Sequence, residues 1–189
     1  MANEFIKQNE KTKLQILSYY QMAGGILGIG LVIWLIAKTE VITGLLLLIF
    51  AVDIGLFSFS IFCGQQLLTG KIKRGLILST INQILQILQF AILGFAFKYV
   101  AGFMLSVGID LTTTFRFTFN FEFSALTITI NRDEDLLKVG INIIAIFLVF
   151  FIDRLEDKIE QDRKVFEASV TQPADHITGA LTSTNEETT

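Results

Sequence analysis

The sequence predicts an α-helical integral membrane protein: a four-transmembrane-helix bundle with a small antiparallel β meander between helices 3 and 4. Three observations carry that expectation. Of 189 residues, 52% are hydrophobic and only 17% charged, and the mean hydropathy is +0.60; soluble domains of this size rarely show such a balance. Four apolar runs have lengths suited to crossing a hydrocarbon core of roughly 30 Å at about 1.5 Å per residue. Between the last two runs the hydrophobic pattern switches to a period of two, the signature of strands.

Residues 1–13 carry both charge signs and run into an apolar segment without an A-x-A cleavage pattern. They read as a cytoplasmic segment ahead of an uncleaved anchor. The first span is expected at 14–37. Tyr19, Tyr20 and Gln21 lie near its start, and Gly24 and Gly28 form a G-x-x-x-G. That spacing lets another helix backbone approach closely, as a packing or dimer face, although glycine is also simply common in membrane helices.

A link of Lys38, Thr39 and Glu40 makes spans one and two an antiparallel hairpin, with Thr39 placed to cap the second. Span two, 41–63, reads VITGLLLLIFAVDIGLFSFSIFC and contains a single charge, Asp53. A cytoplasmic loop at 64–74 gathers Lys71, Lys73 and Arg74. Span three, 75–97, carries Asn82, Gln83, Gln86 and Gln89, the last three on one slowly drifting helical stripe. Amides in lipid need partners, so this stripe should face other helices.

The β meander is expected at 102–131 as an extracytoplasmic cap of two or three strands. Phe115, Phe117, Phe119, Phe121 and Phe123 alternate with polar residues, and the phase slips once at Ser124–Ala125, where a bulge or turn is expected. The stripe could pack over the bundle or against the outer leaflet, or serve as a self-association surface beside an unpaired edge. Span four is expected at 136–152, a cytoplasmic helix at 153–170 and a disordered tail at 171–189.

Basic residues concentrate before span one, after span two and after span four, so the positive-inside rule places both termini in the cytoplasm of a multi-pass plasma (inner) membrane protein. Trp34 and Tyr99 would then lie at the outer interface, and Tyr19 and Tyr20 toward the inner one. Counting rise puts Asp53 about 12 Å from the inner boundary, beside Gln83 at about 12 Å and Gln86 at about 16 Å, with Tyr20 and Gln21 at about 9–10 Å. One intramembrane polar cluster of Asp53, Gln83, Gln86, Gln21 and Tyr20 is therefore expected. Its bland role is helix packing; its sharper role is an ion- or proton-coupled site.

Net charge −3 offers no concentrated basic surface for nucleic acid. One Cys and one His exclude an intramolecular disulfide and leave no Cys/His metal set, and no cofactor or metal is expected. No nucleotide-binding, zinc-protease or nucleophile-elbow motif occurs. The expected function is a non-enzymatic structural or accessory subunit of a membrane complex. Its partners would be the lipid bilayer and either further copies of itself or another membrane protein. The alternative is a homo-oligomeric channel or small ion- or proton-coupled transporter using Asp53 and the Gln stripe.

Overall fold

A computed structural model describes residues 6–92, 95–129 and 137–171 of the chain. In order, these form α1 (Gln8–Lys38), α2 (Gly44–Leu68), α3 (Ile72–Ile87), β1 (Leu88–Ile92), β2 (Phe95–Asp110), β3 (Arg116–Thr129), β4 (Leu137–Asn142) and α4 (Ile143–Thr171). The described residues thus make four helices plus one antiparallel sheet.

Helices α1 and α2 form the hairpin. In their most apolar stretches only 28% and 22% of the residues are buried. The core helix of a soluble protein would be mostly buried, whereas these two present their apolar side chains outward. Thr43 begins α2, its side chain accepting from the Leu46 N–H at 3.3 Å. Thr39, expected in that role, instead closes α1: its hydroxyl donates to the Leu35 carbonyl at 2.9 Å.

Among the described residues only α1 and α2 are long and apolar enough to cross a membrane. The helix expected over 75–97 stops at Ile87, and the chain continues as strand. The helix expected from 136 begins at Ile143, after strand β4, leaving the ten residues Ile143 to Ile152 before the first charge. Helix α3 rises about 24 Å and that part of α4 about 15 Å, both short of a full crossing. The reason is a period-two pattern inside the apolar runs. Leu88, Phe90 and Ile92 alternate with Gln89 and Ala91, and Leu137, Val139 and Ile141 alternate with Lys138, Gly140 and Asn142. Register pairing of Phe90 with Val139 then joins the two segments as neighbouring strands, each satisfying backbone groups of the other.

The sheet has the order β1-β4-β2-β3, with β1 also paired to β2. It therefore has four strands, where two or three were expected. Strand β2 pairs with β1 near its start (Phe90↔Phe97) and with β4 near its end (Ile109↔Val139), while β1 and β4 pair with each other. The sheet accordingly curls on itself. The bend lies at a register shift between Val100 and Phe103, opposite Ser124, the position where the sequence pattern slips. Gly102 has φ +114° there and Ser124 φ +21°, conformations that turn both strands together.

Side chains paired across strands share a face. One face collects Phe90, Phe103, Leu105, Ile109, Val139 and the β3 phenylalanines. The other collects Gln89, Lys98, Ser106, Thr118, Asn120 and Lys138 around a cavity of about 290 Å³. On that polar side Lys98 meets Glu122 at 2.7 Å and Lys138 meets Asp110 at 2.9 Å. Polar side chains gather on the face that lines this cavity, alongside Ala91, Ala96 and Phe97, while large apolar side chains dominate the outward face. Phe115, Phe117, Phe119, Phe121 and Phe123 are 55 to 72% exposed, so the stripe does not pack over the helices.

Two apolar cores hold the elements together. Leu14, Leu17, Leu76, Ile152, Leu155 and their neighbours join α1, α2, α3 and α4. Val32, Phe50, Phe57, Tyr99 and Ala101 join the hairpin to β2. Tyr99 is buried in that second core and takes no place in an interfacial belt.

Candidate functional site

The polar centre grows from one face of α3. Ser79, Asn82 and Gln86 follow at intervals of three and four and are all buried. From α1, the Gln21 Nε2 donates to Ser79 Oγ at 2.8 Å. From α2, Ser60 Oγ donates to the Gln21 carbonyl at 3.0 Å. Asn82 Nδ2 donates to Ser60 Oγ at 3.2 Å and to Gln21 Oε1 at 3.4 Å. From β2, the Tyr99 hydroxyl lies 3.1 Å from Asn82 Oδ1 and 2.8 Å from the Leu56 carbonyl, with one proton to give to either. Gln86 finishes the set: its Nε2 donates to the Asn82 carbonyl at 3.2 Å, and its Oε1 accepts from the Ala101 N–H at 2.9 Å.

A second line of contacts docks the sheet on α1. A Cβ at Gly24 would lie 2.5 Å from the Gly102 nitrogen and 2.6 Å from the Ala101 carbonyl carbon, so only glycine admits this approach. Ser124 Oγ donates to the Gly24 carbonyl at 3.0 Å and accepts from the Gly102 N–H at 3.0 Å. Tyr20 reaches the same bend, its hydroxyl accepting from the Phe103 N–H at 3.1 Å. Gly28 faces the Phe57 ring of α2. The G-x-x-x-G thus serves contacts within the chain, toward β2 at Gly24 and toward α2 at Gly28.

Of the five residues expected in one cluster, the network brings together Gln21 and Gln86. Tyr20 goes to the sheet instead. Asp53 is buried, 5% exposed, but its Oδ1 has no hydrogen-bond partner, and both amide atoms of Gln83 are likewise buried without one. Counting depth along ideal helices aligned their levels but not their azimuths, and hydrogen bonding depends on both. Ser60, Ser79, Asn82 and Tyr99 are the members that the cluster estimate missed. Their signal was visible: single serines inside apolar runs, on the same helical faces as the amides.

These groups are neutral, and apart from Gln86 Nε2, which stays on α3, each donor meets an acceptor on another element. The arrangement fixes helix register and ties α1, α2, α3 and β2 into one unit; interhelical hydrogen bonds of this kind contribute about 0.6 kcal/mol each, up to about 1.7. Among the described residues, three prominent cavities have linings that include no member of the network, nor Asp53. The largest of these three, about 690 Å³, lies among Lys71, Lys73, Arg74, Asp153, Glu156 and Arg163 at the end where the chain is charged. Among the described residues, no group of three or more His, Cys, Asp or Glu side chains could hold a metal ion.

Comparison with protein-family models, curated proteins and solved structures returns no match. Function must therefore be read from this geometry.

Proposed function

We propose that this chain is a multi-pass protein of the plasma (inner) membrane that acts as a non-enzymatic structural or accessory subunit of a membrane complex. The observation that carries the reading is the network of Gln21, Ser60, Ser79, Asn82, Tyr99 and Gln86: neutral, buried and outside the linings of the three cavities. A transport site needs a path to water and a group that changes charge or ligation; this network supplies register instead.

Membrane placement is supported by the apolar exterior, which covers α1 and α2 and continues over the outward face of the sheet. Gly24, where the sheet docks, lies against Ala101, whose N–H reaches Gln86 near the end of α3. Helix α1 continues about 21 Å beyond that point. The sheet accordingly shares the depth of the outer halves of α1 and α2, completing within the bilayer the crossings that α3 and α4 begin. Lys11, Lys13, Lys71, Lys73, Arg74, Arg154 and Lys158 then lie on the cytoplasmic side with both termini.

The test is extraction from native membranes into lipid nanodiscs without detergent exchange, followed by mass analysis of intact particles. A subunit is expected in a discrete particle holding more than one chain. Monomeric particles throughout would contradict the proposal.

One observation favours a second reading, the unpartnered Asp53 carboxyl, which would suit an oligomeric channel or an ion- or proton-coupled transporter. Ion or proton flux in liposomes that Asp53→Asn abolishes, with the fold intact, would establish that reading over the first.

A further inference from the structure

The sheet leaves one long edge open. Strands β1 and β4 each have strand neighbours on both sides, and β2 is shared among β1, β3 and β4. Among the described residues, β3 alone has a single strand neighbour, which leaves a row of outward N–H and C=O groups along it. At the depth assigned above, lipid cannot satisfy such a row, and open edges do not persist in hydrocarbon. Helix α1 meets β3 at Ser124, beyond the phenylalanine stretch.

We propose that this edge is covered by β3 of a second copy of the same chain, paired antiparallel and centred on Phe119. The inference rests on the assembly reading above and names its partner. The sequence of β3 is self-complementary about that residue. In a two-fold antiparallel pair, opposed residues share a face, so their numbers must sum to an even value. Centring on Phe119 sets the sum at 238. Phe119 then faces Phe119, Phe117 faces Phe121 and Phe115 faces Phe123 of the other copy, so each phenylalanine of the stripe meets an aromatic partner. On the opposite face Thr118 meets Asn120, and Arg116 meets Glu122, twice by symmetry.

Shifting the centre to 118 or 120 breaks both patterns: Arg116 then faces Asn120 or Ser124, and the aromatic pairing loses a member. Arg116 is exposed, with Thr114 Oγ1 at 3.2 Å, and Glu122 already holds Lys98 at 2.7 Å. A carboxylate has lone pairs for a second donor as well as the first. The outward phenylalanine face then runs unbroken from one copy to the next.

Cysteine crosslinking in native membranes tests the register, with Phe117→Cys, Phe119→Cys and Phe121→Cys made singly. The native Cys63 is buried and serves as the background. Phe119→Cys alone should form a disulfide-linked dimer on mild oxidation. Phe117→Cys and Phe121→Cys should each crosslink about tenfold less alone, because their equivalent atoms lie well beyond the roughly 7 Å a disulfide can bridge. Co-expressed, those two should form the mixed dimer. Arg116→Glu should reduce the Phe119→Cys dimer by placing like charges opposite, while Arg116→Lys should preserve it.

Equal crosslinking at all three single positions would overturn the register. A foreign chain captured at position 119 would overturn self-pairing and leave the accessory reading standing. A multichain particle without the 119 dimer would do the same. Monomeric particles without any crosslink would count against both.

Discussion

Asn82 holds more of the network than any other side chain, reaching Gln21, Ser60 and Tyr99 through its two amide atoms. Replacing it with leucine leaves three buried polar groups short of a partner. Asn82→Leu should lower unfolding stability by about 1–3 kcal/mol in a denaturant titration in micelles. By contrast, Asp53→Asn should leave stability and particle mass unchanged, since no hydrogen bond to Asp53 Oδ1 is lost. Gly24 provides a steric counterpart. Gly24→Ala pushes a methyl into immovable backbone of β2 and should cost about 1–3 kcal/mol. Gly30, with open space around its Cβ position, is the control: Gly30→Ala should be neutral or gain up to about 1 kcal/mol from helix propensity. Residue type was legible in the sequence at these positions; partnership was not. Nothing in the order of letters says that Tyr99 turns inward to Asn82 rather than outward to an interface.

At the scale of elements, the hairpin of α1 and α2 was legible because length and composition suffice for it. The bulge was legible too, as a slip of phase at Ser124. The ends of α3 and the start of α4 were not. A run such as LQFAILGFAF is apolar enough for a span, and the alternation in its first half, Leu88 to Ile92, is only five residues long. Long-range pairing with β4, some fifty residues on, decides the outcome. The charged half of α4 shows what electrostatics adds at the charged end of the molecule. Arg163 beside Glu160 holds that carboxyl below its ordinary range, and Asp162 raises the Lys7 ammonium above its own.

The two contributions leave by opposite routes. A lowered Glu160 contributes fully above its ordinary value of 4.5 and is lost as pH falls through the lowered one. A raised Lys7 contributes fully below its ordinary 10.5 and is lost as pH climbs through the raised one. A spin label at exposed Val165 should therefore keep constant mobility between those limits and loosen outside them. Loosening near neutrality would show that other groups govern this helix.

Across the whole molecule, two kinds of secondary structure join where Gly24 of α1 meets the bend of β2. Two helices are long and apolar enough for a full crossing, and two shorter ones hand over to a sheet with polar side chains gathered on its cavity face and large apolar ones on its outward face. The outward apolar stripe is the feature the sequence carried most openly, in five alternating phenylalanines. Composition speaks of the solvent on each face, but only the pairing shows which face is which.

The most direct measurement is the depth of that face in a bilayer. The chain would carry Phe117→Trp with the single native tryptophan replaced, Trp34→Phe, in nanodiscs containing lipids brominated at defined acyl positions. The account predicts strong quenching by acyl-chain bromines and protection from aqueous iodide. Quenching by iodide with none from the brominated chains would place the sheet in water and contradict the account.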